Sequence, residues 1–480
     1  MTTVSWGSWG AIWAVLLILL DLATIARAVT REHRSPASRL AWSVVIMTLP
    51  VVGVVAYFFL GDTSADRKSD RKLKDLRREL PKQPNDQPRA ALPLLYRQAF
   101  ARAASVNGFL PLAGNRADVT IDSNESIDWL VADIDAATDH AHLLFYIWLA
   151  DDNGTRVAEA MIRAARRGIK ARVIVDGLGS RKLLSDPLWM RMNEGGVETV
   201  VAFAFRFPLL SAFIRRLDIR NHRKIVVIDH AITYVGSQNC ADAAFRVKKK
   251  FAPWVDVMLR VGGPVAWQAQ RLFVSDWMVH GGDDIARYLD HEPEMPKGGF
   301  PAVMAGTGPT ESVHAVPDMM QMLLASAQKE VIITTPYYVP SEALHQQICA
   351  AALRGVYVRL NVPATNDSLI VAFASRSFYR SLLKAGVDVY EFQPGLLHAK
   401  ILSVDGTAAL VGSPNLDQRS FDLNYENSMM LVDEATVGTL REKQKVFLSM
   451  SDKVQREVVA GWTVPRRLLF NSIGMLAPLL

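Results

Sequence analysis

The chain has 480 residues, half of them hydrophobic, a net charge of +6 and two cysteines, Cys240 and Cys349. Such a length accommodates two or three domains with substantial cores. Two cysteines exclude a disulfide framework and offer no zinc-type spacing, so reduced thiols are expected. The basic balance suits partners that carry phosphate, without choosing between lipid headgroups and nucleic acid.

The apolar content is concentrated at the N-terminus. Residues 6–26 are interrupted only by Asp21, and residues 40–60 contain no charge. About 20 helical residues cross a hydrocarbon core of ~30 Å, so the two runs predict a transmembrane hairpin. Trp6, Trp9, Trp13, Trp42, Tyr57, Phe58 and Phe59 include several near the run ends, where interfacial aromatics belong. A cleaved signal peptide fits less well, because residues 1–5 carry no Lys or Arg and no clean cleavage pattern follows. Pro50 is tolerable inside the second span if a kink or neighbour satisfies the freed carbonyl.

Basic residues flank both ends of that second run. Arg27, Arg31, Arg34 and Arg39 lie in and around the connection, and Arg67, Lys68, Arg71, Lys72, Lys74, Arg77, Arg78 and Lys82 follow the run. The larger count favours a cytoplasmic main domain. Residues 61–90 read either as a solvated linker or as a basic juxtamembrane segment that gathers anionic lipid.

From about residue 107 the chain alternates strand-like and helix-like segments. HLLFYIWLA (142–150), the helical spacing of Val157, Met161, Ile162 and Ala165 closed by Gly168, and IKARVIVDG form one β-α-β series. EVIITTPYYVP, ALHQQICAAALRG and VYVRLNVPA repeat it in the second half. The correspondence runs well upstream of the motifs below, as in a duplicated domain. The first half carries extra residues around VAFAFRFPLLSAFIRRLDIR. The expected class is α/β, with helices flanking a mixed sheet in two pseudo-symmetric lobes.

Each half then spells one sentence. Residues 222–239 read HRKIVVIDHAITYVGSQN and residues 398–415 read HAKILSVDGTAALVGSPN, both fitting H-x-K-x4-D-x6-G-S-x-N. Residues two apart on a strand share a face, so His222 points with Lys224 and His398 with Lys400. If the lobes meet about a pseudo-twofold axis, two imidazoles and two ammonium groups converge on one pocket. One imidazole can attack phosphorus, and the other can protonate the leaving alkoxide and then deprotonate the incoming hydroxyl. The lysines, with Asn239 and Asn415, are candidates to hold the phosphate, and the motif serines Ser237 and Ser413 are candidates to support the site or bind phosphate. The lysines supply much of the field a metal would otherwise provide, and no cofactor or metal is expected.

Asp229 and Asp405 complete the motif and are counted with its catalytic set. Their odd offset favours a role in fixing the turn over one inside the pocket. Carboxylates that orient the histidines are sought after each motif, at Asp256 and Glu426, against the alternative that these are surface acids.

These residues resemble the phospholipase D superfamily, whose hallmark is the duplicated H-x-K-x4-D. The N-terminal RSPASRLAWSVVIMTLPVVGVVAYFFLGD, and TPYYVPSEAL, SRSFYRSLLKAGVDVYEFQPGLLHAK and SPNLDQRSFDLNYE in the second half, look like bacterial cardiolipin synthases. The resemblance implies phosphatidyl transfer between two phosphatidylglycerol molecules, giving cardiolipin and glycerol, through a phosphatidyl-histidine. It makes His222 the nucleophile and His398 the acid/base. It also implies a bacterial inner-membrane location and anionic phospholipids as partners, not nucleic acid. Hydrolysis, or another alcohol acceptor, is the alternative. CADAAFRVKKKF departs from the acidic, aromatic stretch that many relatives carry after the first motif.

The expected organisation is a hairpin over 1–63, a charged linker over 64–106, a first lobe over 107–290 and a second over 291–480. The terminal RRLLFNSIGMLAPLL is too short to span a bilayer. It either rests on lipid or docks on the protein. Tyr337 and Tyr338 either shape the pocket mouth or pack in the core.

Overall fold

The first apolar run folds as one helix, Trp6–Val29, and its Gly10–Val29 portion is long and apolar enough to cross a membrane. The second run does not form a single helix. Pro50 lacks the amide hydrogen that a helix interior needs, and the chain breaks there into Pro36–Thr48 and Val52–Ala56, followed by a π-helical turn, Tyr57–Gly61. Val51 takes a left-handed φ of 67° at the break. Trp42 and Tyr57 are buried and meet edge to face at 5.5 Å, together with Ala28, Ile46 and Val54. Among the expected interfacial aromatics, Trp13 is exposed, as is Phe58. The side chains of Trp6, Trp9 and Phe59 lie outside the described residues.

The structure, a computed structural model, describes residues 6–31, 36–61, 67–83, 90–120, 122–204, 219–293, 295–309, 311–312 and 314–475. The insertion expected before the first motif falls mostly outside these residues, as do Arg34 and the last five residues. The chain divides into two compact units, one reaching to Asp70 and the other beginning at Arg71.

The larger unit is built on a sixteen-stranded sheet with one architecture repeated twice. In spatial order the first lobe runs Leu112–Val119, Met258–Gly262, Ile232–Gly236, Ile225–Ile228, His140–Phe145, Lys170–Asp176 and Glu198–Ala202. The second runs Phe300–Thr307, Asn424–Val432, Ala408–Gly412, Ile401–Val404, Glu330–Thr334, Tyr357–Pro363 and Asp388–Phe392. The lobes join antiparallel through Leu112–Val119 and Phe300–Thr307. In each lobe the three strands after the first helix are parallel and the motif hairpin is antiparallel. The parallel strands read as continuous apolar runs because helices cover their faces. Helix Val265–Val279 is buried from Val265 through Trp277 and lies between the sheet and the N-terminal segments of this unit.

The charged stretch after the apolar runs is a helix, Arg67–Glu79, rather than a bare linker. Leu73 and Leu80 are buried and Leu76 packs beside them, a spacing that gives one apolar stripe on a strongly charged helix. Arg77 pairs with buried Glu311 and reaches Ser275 Oγ at 3.2 Å. Leucines hidden among so many charges escaped the reading of this stretch as solvated.

Candidate active site

The two motifs sit at equivalent places, where the chain enters Ile225–Ile228 and Ile401–Val404. Just before each, a two-residue strand crosses to the other lobe. Arg220–Asn221 pairs in parallel with Asn424–Tyr425, and Leu396–Leu397 with Trp254–Val255. The register continues one residue further, for His222 N–H donates to Tyr425 O at 2.8 Å and His398 N–H to Val255 O at 2.8 Å. The next residue on each partner strand is an acid, so every histidine lands beside a carboxylate of the opposite lobe.

His222 Nδ1 lies 2.9 Å from both carboxylate oxygens of Glu426, and His398 Nδ1 lies 2.7 Å from Asp256 Oδ1. A ring that donates Nδ1–H to a carboxylate keeps its Nε2 lone pair for chemistry. Both acids are buried, and the surface reading of them does not hold. Ser413 donates to Glu426, and Ser237 donates to Asp256 at 2.5 Å. The motif serines therefore brace the carboxylates, the supporting one of the two roles open to them.

Lys224 Nζ donates to His222 O at 2.9 Å and Lys400 Nζ to His398 O at 2.6 Å, so each lysine folds back beside its own histidine. Burial pulls Lys224 down to about 8 and Lys400 to about 7, although Glu426 and Asp256 oppose the shift. Burial also lowers His222 to about 4 against the upward pull of Glu426, and it lowers His398 against the upward pull of Asp256. Each ring feels the other lobe's lysine as well, which puts both motifs in one cleft. Burial would raise Asp256, but His398 beside it holds this acid at about 2. The same opposition with His222 keeps Glu426 below its ordinary value.

Asn239 Oδ1 accepts from Ile147 N–H at 3.2 Å, which turns its NH2 away from that backbone. Asn415 Oδ1 is buried without a hydrogen-bond partner. Tyr146 stands edge to face with His222 at 4.8 Å, and Trp254 tilts against His398 at 4.7 Å. Sequence reasoning missed both aromatic walls, as it missed Arg223. Alternation turns Arg223 away from its motif neighbours, into a buried network with Asp276 at 2.8 Å, Glu311 at 2.6 Å and the carbonyl of Glu426 at 3.1 Å. An arginine between two site residues on a strand was the available signal. Its counterpart in the second motif is Ala399.

Asp229 and Asp405 are not in the cleft. Each lies at the far end of its motif strand with a left-handed φ of 48° or 53°. Asp229 accepts from the amides of Thr138, Asp139 and His140 at 2.7–2.9 Å, and Asp405 from those of Gln328, Lys329 and Glu330 at 2.7–2.9 Å. Counting them with the catalytic set is therefore corrected: four residues of strand separate each from its lysine, and their oxygens tie the hairpin to the neighbouring strand. Asp229→Ala or Asp405→Ala should cost about 1–3 kcal/mol in chemical denaturation by leaving backbone donors unpaired. Turnover of the folded fraction should stay near wild type, and a collapse of turnover at unchanged stability would contradict this placement.

Tyr338 is core, buried with its hydroxyl 3.0 Å from His345 Nδ1, while Tyr337 donates to Asp367 at 2.6 Å. Asp367 also receives Lys248 at 2.5 Å, so the divergent segment after the first motif reaches the second lobe. Both cysteines are free and buried. Asp139, His140 and His230 could together hold a metal ion, but at the opposite end of strand Ile225–Ile228 from the histidine cleft. There, His140 Nδ1 is already joined to Asp139 at 2.7 Å.

Comparison with known proteins adds the class to this geometry. Residues 130–277 and 320–447 match the model for "Cardiolipin synthase, PLD-like domain", and residues 11–61 match "Phospholipase_D-nuclease N-terminal". The structure of a phosphatidylserine synthase from Haemophilus influenzae Rd KW20 superposes with a TM-score of 0.59 at 13% identity, over 80% of this chain and all of that one, and shares the fold. Fold and family model together define a two-lobed, phospholipase D-like enzyme.

Cardiolipin synthase A of Edwardsiella ictaluri (strain 93-146) is 34% identical over 450 residues, 90% of each chain. That of Proteus mirabilis (strain HI4320) is 34% identical over 470 residues, 93% of this chain and 94% of the relative. The chain belongs to the cardiolipin synthase family of phospholipase D-type phosphatidyltransferases.

Proposed function

We propose that the protein joins two phosphatidylglycerol molecules into cardiolipin and glycerol through a phosphatidyl group held on His222. The observation that carries the reading is the crossed pairing of His222 with Glu426 and His398 with Asp256. Neutral His222, with Nδ1–H on Glu426, attacks phosphorus through Nε2. The P–O bond to the glycerol headgroup breaks, and protonated His398 gives that oxygen its proton. His398, now neutral, takes the proton from the glycerol hydroxyl of a second phosphatidylglycerol. That oxygen attacks phosphorus, the P–N bond breaks and His222 is regenerated.

The roles follow from the burial of the rings. His222, held near 4, is neutral across the physiological range, as a nucleophile must be. His398 sits on the strongly ionised Asp256, which supports an imidazolium once a phosphate anion is bound. The same anion draws protons onto Lys224 and Lys400, so the positive field is fullest when substrate is present. Asn239 and Asn415 complete the set around the non-bridging oxygens. We place the apolar N-terminal helices in the bacterial inner membrane as a hairpin, with the lobes on the cytoplasmic side.

Purified full-length protein in phosphatidylglycerol micelles, with its products resolved by lipid chromatography, tests the reaction. Cardiolipin with free glycerol is the expected result. Phosphatidic acid as the sole product would replace transfer by hydrolysis, and an inert wild-type protein beside an active control would remove the enzymatic role.

A further inference from the structure

A cavity of about 520 Å³ lies among helices Leu369–Ser377, Tyr379–Ala385 and Val464–Gly474, away from the histidine cleft. Arg376, Arg380, Lys384 and Arg467 line it, and among the described residues no carboxylate does. Arg376 touches Glu391 only at 3.5 Å, and Arg467 Nε is buried without a hydrogen-bond partner. Arg466, by contrast, lies over the Trp462 ring at 4.8 Å and does not line the cavity. Four like charges around one concavity repel one another, and a bound anion relieves that repulsion.

The surface around it has the opposite character: Val464 and Leu468 in its lining are 65% and 66% exposed, and Leu369 and Ile370, at the start of the first of these helices, are 71% and 50% exposed. Phe373 meets Phe470 at 5.6 Å, and a Cβ on Gly474 would meet Ser377. The helix pair therefore runs side by side in one direction, and Leu369 and Ile370 share an end with Arg466 and Arg467. This is also the end of the lobe that holds the cleft, since Thr334 pairs with both Asn361, near the end of the strand leading toward Leu369, and Ile401, three residues past His398. A cationic hollow ringed by bare aliphatic side chains has the chemistry of an amphiphile's binding site, with an anionic head inside and chains outside.

We propose that this cavity is a second lipid site, separate from the transfer cleft, that takes the headgroup of an anionic phospholipid while Leu369, Ile370 and Leu468 rest among acyl chains. It holds the second lobe against an anionic bilayer and does not depend on which reaction the cleft performs.

Trp462 lines the cavity and gives the readout. In full-length protein in detergent, the emission lost in Trp462→Phe reports Trp462. Brominated-acyl phosphatidylglycerol should quench it and brominated-acyl phosphatidylcholine should not. Arg380→Glu with Lys384→Glu, both exposed positions, should weaken that quenching about tenfold or more at an unchanged melting temperature. Equal quenching by the two lipids, or no effect of charge reversal, would overturn the site. Displacement of the lipid by equimolar glycerol 3-phosphate would overturn it in favour of a soluble phosphate ligand. None of these readings needs turnover, so failure of the transfer reaction would leave them interpretable.

Discussion

His222→Ala and His398→Ala should each lower cardiolipin formation by about 10⁴-fold or more, and the double variant should lose no more than the worse single one. In the proposed mechanism the two rings act on one phosphorus atom in consecutive half-reactions, so removing either would disable both steps. The single variants differ in what survives. Without His222 no covalent intermediate forms, whereas without His398 the leaving alkoxide lacks its proton but His222 keeps Glu426 and its nucleophilic nitrogen. Protein denatured at alkaline pH, where a P–N bond survives, after incubation with labelled phosphatidylglycerol should therefore carry label in wild type and none in His222→Ala. Label mapping to His398 would reverse the two roles, and robust turnover in both single variants would end the scheme.

The second large effect belongs to Glu426→Gln, expected to lower kcat by about 10²–10⁴-fold with little change in stability. A glutamine there can donate to Nδ1 of His222, which moves the ring proton to Nε2 and hides the lone pair that attacks phosphorus. The pH profile separates this from simple misfolding. The charge of Glu426 pulls the His222 pKa upward against burial, which is the larger effect and holds it near 4. Removing that charge lowers the pKa further, so the acid limb of kcat/KM should move to lower pH. Asp256→Asn should likewise lower the His398 pKa, and because His398 acts protonated it is the alkaline limb that should move to lower pH. A limb that moved upward, or an Asp256→Asn enzyme of wild-type activity, would refute the orienting role.

Much of this arrangement was legible in the chain because it is local. Two gapless copies of H-x-K-x4-D-x6-G-S-x-N put His and Lys on one side of an extended segment, and the alternating β and α patterns gave the class of fold. Glu426 and Asp256 could be named as candidates from their position after each motif. Their crossed partnership could not be read, since it depends on strands some 200 residues apart in sequence, such as Asn221 and Tyr425, coming into register. Arg223 was hidden by the motif that frames it. The amphipathic helix Arg67–Glu79 was hidden by its charge, and the fate of the second apolar run turned on Pro50, whose effect depends on its surroundings.

The crossed register constrains how substrate gets in. Neither lobe can orient its own imidazole: a hinge that swung the halves apart would strip the carboxylate from both rings in one movement and undo the short strands that hang each histidine on its neighbour. A lipid substrate of the kind proposed would therefore have to reach the two histidines while the halves stay locked. Entry falls to side chains and loops at the cleft's edge, so stiffening the interface between the halves should leave traffic through the enzyme largely undisturbed.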